Sequence, residues 1–380
     1  FYDGSMPWLF FHETERHLDA LAQTHPHAVA GYRRYLADAT PVAELLLAIA
    51  RTTPSTPRLL RALLAERAIG ATRLLDWSRR SHAEVMARYF DDWHLVMPGV
   101  STGPTVWGTP HTLPGTGTAA ALYATRHLVK AGRPRGGSGS LTDAVRASFE
   151  AAGGHLRCDS RVDQLLVSAG QVTGVRLADG TRLASPIVVA ACDPQRVFVE
   201  WFDHVPAAAD RLITRWRSRP VQNGYESKVD GVLAALPRWS AAGALAGVAQ
   251  GHDLLAPTTV VSPDPEQLAE AHALRRAGAV AACPTMLVNV PTVLDPHMQS
   301  TPEQHVLSVE VLFTPYELPG GWADSPEPAR WLEVLEGLME PGTLQLERWR
   351  PMTPDRYESE FSLHRGHPPS FRGPPLAALF

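Results

Sequence analysis

The chain has 380 residues and a formal net charge of −4, a length that allows two domains or one large intertwined pair. Apolar residues make up 44% and charged residues 19%, the composition of a globular protein with a sizeable core. The small negative charge excludes a nucleic-acid-binding protein of the basic type. Three widely separated cysteines, Cys158, Cys192 and Cys283, argue against a disulfide framework and a zinc site and favour a reducing, cytoplasmic compartment.

Residues 10–130 show apolar spacing typical of helices, with a break expected at Pro41. Ser81 and Glu84 have the spacing of a capping box, which predicts a helix start. Two interpretations stay open for this region. It is either the core of a helical bundle or a set of helices over an apolar ligand cavity.

The stretch "GRPRGGSGSLTDA" (132–144) looks like a phosphate-binding loop. A dinucleotide fingerprint needs a buried strand before the glycines and a third glycine in register, and both are missing here. "GTGTAA" (115–120) fails in the same way. We therefore predict a glycine-rich helix entry, with Ser140 as the cap and Gly153 and Gly154 at the helix end.

The sequence of residues 155–194 predicts three strands joined by two turns, the second of them at Asp179–Gly180. A fourth, buried apolar strand is predicted at "PIVVAAC" (186–192).

In residues 200–350 we predict strands at 285–295 and 305–313 and a helix at 325–339, which indicates an α+β region. The arginine-rich run 211–219 indicates a solvated helix face, with an anionic membrane surface as the alternative.

The sequence contains few other motifs that indicate a metal site or a reaction. His12 and His17 would lie about 140° apart on a helix and could not share a zinc ion, so we expect no metal site. No nucleophile–base set can be nominated from spacing, and the catalytic residues stay unknown.

The order of elements in 132–194 resembles the mid-chain segment of phytoene desaturase-like flavoproteins, within the FAD-dependent amine-oxidase superfamily. "KVDGVLAALP", "PTMLVNVPTVLDP", "FTPYELPGGW" and "MTPDRYESEFSLHRG" are similar to relatives of pyridine nucleotide-disulphide oxidoreductase domain proteins. The resemblance spans roughly residues 80–367 and is specific in the order of its parts.

The resemblance implies an α/β plus α+β fold, in which a partial Rossmann-like FAD-binding domain carries an inserted substrate domain. The expected parts are a mostly helical substrate or lid region (1–130), part of the FAD domain (131–200), a mixed-sheet substrate domain (201–350) and a return towards the FAD domain (351–380). The family's N-terminal pyrophosphate loop and C-terminal glycine motif are not found in this sequence. We therefore expect cut ends, the alternative being a cofactor-less relative.

For the cofactor, FAD, the resemblance implies that backbone groups of Val162 face the adenine. It also implies that Ala191, Cys192 and Asp193 end a strand on the cofactor side. Gly136 and Gly137 either pack closely or contact the nucleotide. The aromatic candidates for lining a substrate pocket are Trp107, Tyr123 and Tyr316, each with core packing as the alternative.

The expected function is hydride removal from an apolar, isoprenoid-like small molecule by bound FAD, in the cytoplasm or at the membrane periphery. A cofactor-free binding or scaffolding relative and a flavin amine oxidase are the alternatives. We expect this chain by itself to bind FAD weakly or not at all, because helix-terminal N–H groups for the pyrophosphate are missing.

Overall fold

The computed structural model describes residues 1–51, 55, 57, 61, 67–101, 103–105, 108–130, 132–203, 205–219 and 223–367. The first part of the chain is helical, as expected. Its helices are α1 (Thr14–Thr24), α2 (Val29–Ala50), α3 (Arg67–Trp77), α4 (His82–Met86), α5 (Trp93–Ser101) and α6 (Ala119–Leu128). Their apolar faces form one core, which includes Leu21, Tyr35, Leu45, Trp77 and Met86.

Helix α2 runs through Pro41 without ending, so the predicted break is wrong. Proline removes one backbone donor and normally destabilises a helix interior. Here Ala39 and Val42, on either side of it, are completely buried in the helical core. Packing of the helix face outweighs the local preference, since most helix stability in proteins comes from tertiary contacts.

The capping box at the start of α4 is confirmed. The Ser81 hydroxyl accepts a hydrogen bond from the Glu84 backbone N–H at 3.1 Å, and the Glu84 carboxylate accepts one from the Ser81 N–H at 2.7 Å. Both bonds satisfy backbone donors that have no partner inside the helix.

The middle segment consists of α7 (Ser138–Ala151) and an antiparallel sheet of β1 (Val162–Ser168), β2 (Gln171–Leu177) and β3 (Arg182–Ala184). The predicted hairpin turn is confirmed, with Gly180 at φ 87°. Helix α7 starts at Ser138 after Gly137, so Ser140 lies inside the first turn and the prediction that it caps the helix is wrong.

The stretch 186–192 has no regular secondary structure and forms no strand ladder with any described residue. Ile187 and Val189 are 76% and 87% exposed, so the prediction of a buried strand is wrong. A strand becomes buried on both faces only when neighbouring strands and covering helices flank it. The described residues place neither around this stretch.

The second sheet has the order β5-β6-β7-β4-β8, and all of its neighbouring strands are antiparallel. The strands are β4 (Glu226–Leu233), β5 (Thr259–Val261), β6 (Met286–Asn289), β7 (His305–Leu312) and β8 (Leu346–Met352). The accompanying helices are α8 (Asp210–Arg217), α9 (Ala242–Ala249), α10 (Pro265–Arg276), α11 (Glu327–Glu336) and α12 (Pro354–Phe361).

One face of this second sheet is the core of the C-terminal half. Val229, Leu307 and Val309 are completely buried there, together with Trp331 and Leu335 of α11. The two strands and the helix predicted for this region are confirmed, although β6 and α11 are shorter than expected. The mixture of helices and sheets agrees with the predicted fold class, whereas the domain limits stay a prediction.

Within the described part of the chain, no helix combines the length and apolar character needed to cross a bilayer.

Candidate functional site

Strand β4 places charged side chains on the sheet face opposite the core. Its residues alternate, so Ser227 and Val229 are buried while Glu226, Lys228 and Asp230 are only half-buried. In the register of the sheet Lys228 is opposite Glu310 of β7, which puts Glu310 on the same face. We call Glu226, Lys228, Asp230 and Glu310 the polar face.

The polar face holds two carboxyl groups in contact. Burial raises the pKa of Glu226 well above its usual range, and the negative charge of Glu310 and the hydrogen bond to it act in the same direction. Glu226 therefore keeps its proton at neutral pH. Lys228 does not neutralise the pair fully, since its ammonium group lies 2.8 Å from Asp230. The pair can hold and exchange one proton.

A second cluster joins three distant segments at the end of the same sheet. Glu358 of α12 accepts a hydrogen bond from the Tyr316 hydroxyl, and one of its oxygens lies 3.2 Å from the buried Arg196 guanidinium. The same carboxylate accepts the backbone N–H of Arg365 at 3.1 Å, and the Arg365 guanidinium lies 4.6 Å from the Tyr316 ring centre. We call these four residues the Glu358 network.

The Glu358 network brings together two stretches that carry the family resemblance, "FTPYELPGGW" and "MTPDRYESEFSLHRG". It also ties them to the turn that follows the exposed stretch 186–192. Tyr316, predicted as a pocket aromatic, is thus a half-buried hydrogen-bond donor in this network.

The residues predicted to contact FAD lie in three places. Val162 is the first residue of β1, while Ala191 and Cys192 are exposed in the stretch 186–192. The Asp193 carboxylate accepts the backbone N–H groups of Gln195 and Arg196 at 2.7 and 3.3 Å. It therefore shapes the turn after the stretch. Their contact with a cofactor stays a prediction.

Gly136 and Gly137 need their left-handed backbone, with φ values of 80° and 87°. The Gly136 N–H donates to the Asp295 carboxylate, and a side chain at Gly137 would lie 3.2 Å from the Met298 methyl carbon. These contacts fit the packing alternative. A phosphate at the Gly136 amide does not fit, because the Asp295 carboxylate already occupies the donor and carries the same charge.

The other two aromatic residues predicted to line a substrate pocket are Trp107 and Tyr123. Trp107 lies outside the described residues. Tyr123 is buried in the helical core, with its ring centre 5.7 Å from that of Phe10. This position agrees with the alternative of core packing.

Sequence reasoning missed the polar face. The alternating charges at 226, 228 and 230 were a signal for a strand with one polar side. The partner Glu310 follows only from the register of β4 with β7, which local sequence does not specify. Within the described ranges no group of three acidic, histidine or cysteine side chains could hold a metal ion.

The middle segment carries an unusual exposed apolar surface. Leu141, Val145 and Phe149 follow one another at four-residue spacing along α7 and are 60%, 62% and 50% exposed. Ile187 and Val189 are two further exposed apolar residues of the middle segment. An amphipathic helix normally buries such a stripe against another element, so this surface is suited to packing against further polypeptide.

Sequence comparisons show which known proteins the chain is similar to. No family model matches the chain. The similar proteins are oxidoreductases, which confirms the resemblance read from the residues 132–194 and the later motifs. The chain spans about a third of the length of the curated relatives it matches.

Among these relatives is the mouse pyridine nucleotide-disulfide oxidoreductase domain-containing protein 2. It is 29% identical over 192 residues, which cover 49% of this chain and 32% of the mouse protein. The lycopene-forming phytoene desaturase of Pseudescherichia vulneris is 26% identical over 197 residues, covering 50% of this chain and 37% of the enzyme. The neurosporene-forming phytoene desaturase of Rhodobacter capsulatus is 41% identical over 59 residues, covering 15% and 11%.

Two solved structures are also similar. An oxidoreductase from Methanosarcina mazei has a TM-score of 0.48 and 16% identity, covering 82% of this chain and 62% of its own. Cyclohexylamine oxidase from Brevibacterium oxydans IH-35A has a TM-score of 0.39 and 13% identity, covering 80% and 61%.

Proposed function

We propose that this chain is part of an FAD-dependent oxidoreductase of the desaturase or dehydrogenase type, acting on an apolar, isoprenoid-like small molecule. The observation that carries the proposal is the sequence similarity over 192 and 197 residues to two kinds of oxidoreductase, one of them a phytoene desaturase. The exposed apolar surface of α7 and the stretch 186–192 supports it, since a nucleotide-binding sheet would cover such a surface.

The described residues fit FAD in part. Val162, on the first strand of the meander, could offer its backbone groups to the adenine, whereas Gly136 does not fit a phosphate. When bound, the flavin would supply the hydride acceptor for the reaction. The chain's own part would be to orient the substrate and exclude water.

We also propose that α8 contacts an anionic membrane surface. An apolar substrate would dissolve in such a membrane. Arg211, Arg215 and Arg217 are exposed, and Leu212 beside them is 42% exposed. Arginines attract anionic headgroups while an apolar neighbour enters the interface. Sedimentation with anionic but not with neutral vesicles would support this contact, and no sedimentation with either would exclude it.

One observation favours a second candidate, a cofactor-free protein that binds an apolar ligand. The Asp295 carboxylate accepts a hydrogen bond from the Gly136 amide at the glycine-rich start of α7, where a phosphate would otherwise bind. In that candidate the helices and the second sheet bind the ligand without redox chemistry.

The absorption spectrum of the intact gene product, purified from its source, separates the candidates. We expect a bound flavin that isoprenoid hydrocarbons reduce under anaerobic conditions and that simple amines do not. Reduction of the flavin by amines but not by isoprenoid hydrocarbons would indicate that the protein is an amine oxidase. A product without flavin, even after incubation with FAD, would overturn the proposal in favour of the second candidate.

A further inference from the structure

Residues 1–5 run without a helix or strand across the junction between the helices α1–α6 and the second sheet. The Phe1 ring packs edge-on against Trp93 at the start of α5, with 5.4 Å between the ring centres. The neighbouring Tyr2 hydroxyl donates to the carbonyl oxygen of Pro284, just before β6, at 2.5 Å. We call residues 1–5 the strap, because they contact both parts of the protein.

The imidazole of His94 lies between two carboxylates from separate segments. Its Nδ1 is 2.6 Å from an oxygen of Asp92, the residue before α5, and its Nε2 is 2.9 Å from an oxygen of Asp3 in the strap. Both distances are those of hydrogen bonds. The His94 side chain is only 14% exposed, so few water molecules can replace either carboxylate. Because a carboxylate only accepts, both ring nitrogens must carry a proton for both bonds to exist.

The two carboxylates stay ionised over the pH range in which histidine titrates. Burial acts to raise the pKa of Asp3, but hydrogen bonds from the Ser5 N–H and from His94 outweigh it and lower the pKa to about 2. Burial is likewise outweighed at Asp92, where hydrogen bonds from His94 and His27 lower the pKa. Histidine is the side chain that ordinarily changes charge between pH 5 and 8. The contact between the strap and α5 therefore depends on the charge of an imidazole.

A neutral imidazole can keep only one of the two bonds, since it has a single N–H. We expect His94 to keep Asp92, because the same carboxylate also accepts the His94 backbone N–H at 3.0 Å. The lone pair of Nε2 then faces an oxygen of Asp3, and two acceptors at this distance repel each other. The chain beyond the strap stays attached, because the Trp8 indole N–H donates to the His94 carbonyl at 3.1 Å.

Three other titratable groups lie near His94. His27 contacts the second oxygen of Asp92 at 3.3 Å, and its side chain is 60% exposed. His25 lies beside His27, and the amino group of Phe1 is attracted to Asp3. Within the described part of the chain, none of the three forms an ion pair with Asp3. A change in the charge of His94 thus acts on the strap directly, whereas a change at His27 acts on Asp92.

We propose that His94 is a pH-sensitive latch for the strap. When its imidazole is protonated, it holds Asp3, and the strap joins the helices α1–α6 to the second sheet. When the imidazole is neutral, Asp3 is released and the junction loosens. The strap is therefore closed at the acid end of the histidine range and open at the alkaline end. The inference does not depend on the proposed redox function.

Amide hydrogen exchange, followed by mass spectrometry, tests the latch in the unmodified protein. The exchange rate of the peptic fragment that contains the strap is measured at pH 5.5 and at pH 8.0. Each rate is divided by the rate of the same fragment in the unfolded protein at that pH. Loss of a hydrogen bond between charged groups changes an opening equilibrium about tenfold, so protection should be about tenfold higher at pH 5.5. Equal protection at both pH values would overturn the proposal.

Three variants separate the latch from other titrating groups. Asp3→Asn supplies an amide that can donate to the imidazole or accept from it, so protection of the strap should no longer depend on pH. His27→Gln removes the other histidine that contacts Asp92 and should keep the tenfold difference. Asp19→Asn, at an exposed carboxylate, is the control and should also keep it. A pH dependence that survives Asp3→Asn or disappears in His27→Gln would contradict the latch.

Nitrogen-15 NMR of the imidazoles observes the switch without altering the latch. The signals of His94 are assigned by their absence from the spectrum of His94→Gln. In the unmodified protein both ring nitrogens should be protonated at pH 5.5 and one of them at pH 8.0. A neutral His94 ring at pH 5.5 in a protein whose strap is protected would overturn the proposal.

Discussion

Glu226 and Glu310 lie on neighbouring strands with their carboxyl groups hydrogen-bonded to each other, an arrangement that requires one proton between them. The core on the opposite sheet face holds β4 and β7 in register, so the two side chains stay on neighbouring strands of the same face. Like charges this close and half-buried cannot both ionise without a large cost in free energy. The pair makes stability depend on pH in a predictable direction.

Stability should fall as pH rises above the ordinary carboxyl range. The folded pKa of Glu226 is raised, so the folded state holds a proton that the unfolded chain releases above about pH 4.3. Glu226→Gln removes this cost and should stabilise the protein by at least ~1 kcal/mol at pH 8, with little change near pH 4.5. Urea unfolding at several pH values measures it. Glu303→Gln, at an exposed position, should change nothing.

Stability should also fall on the acid side, because of buried neutral histidines. Burial lowers the pKa values of His17, His82 and His272 to about 3, with smaller contributions from the neighbouring His127, His111 and Arg275 in turn. Unfolded histidine takes up a proton below about pH 6.5, so stability is complete above that pH and is lost progressively towards pH 3.

The variant His17→Phe tests the acid-side explanation. The ring packs against Phe10 and Tyr32, and phenylalanine keeps those ring contacts. The slope of the free energy of unfolding against pH gives the number of protons taken up on unfolding. Near pH 5 this number should fall by about one in the variant. An unchanged slope would show that His17 takes up no proton on unfolding, contrary to this explanation.

Two helical glycines should respond oppositely to alanine. A Cβ atom at Gly31 of α2 would overlap the Tyr89 carbonyl oxygen, whereas one at Gly247 of α9 meets no atom within 4 Å. Gly31→Ala should destabilise by about 2 kcal/mol or more, and Gly247→Ala should stabilise by about 0.5–1 kcal/mol through its higher helix propensity. Thermal unfolding of both variants checks the pair. Equal effects would contradict the close approach of α2 to Tyr89.

The Glu358 network should contribute more to stability than a surface ion pair on the same helix. Among the described residues, Glu358→Gln leaves the Arg196 guanidinium, 7% exposed, with one carboxylate partner, that of Glu200 at 3.6 Å. We expect a loss of about 2 kcal/mol. Glu360→Gln on α12 removes the exposed pair with Arg356 and should cost less than about 0.5 kcal/mol. Similar losses in the two variants would show that the network has no special role.

Several elements followed from the sequence because their causes are local. The Ser81–Glu84 capping box and the Asp179–Gly180 turn depend on residues within three or four positions of one another. Likewise the arrangement of motifs from 132 to 366 was enough to point to oxidoreductases. Hydrogen bonds and φ preferences within a single turn need no distant partner.

The tertiary structure decided what depends on distant partners. Pro41 stays helical because the core surrounds α2, and the stretch 186–192 is exposed because no described strand flanks it. Gly136 meets Asp295 across 159 positions, and Glu226 meets Glu310 only through strand register. Such contacts arise when the chain closes long loops to bury its apolar surface. Which polar groups then share a buried place cannot be read from spacing along the chain.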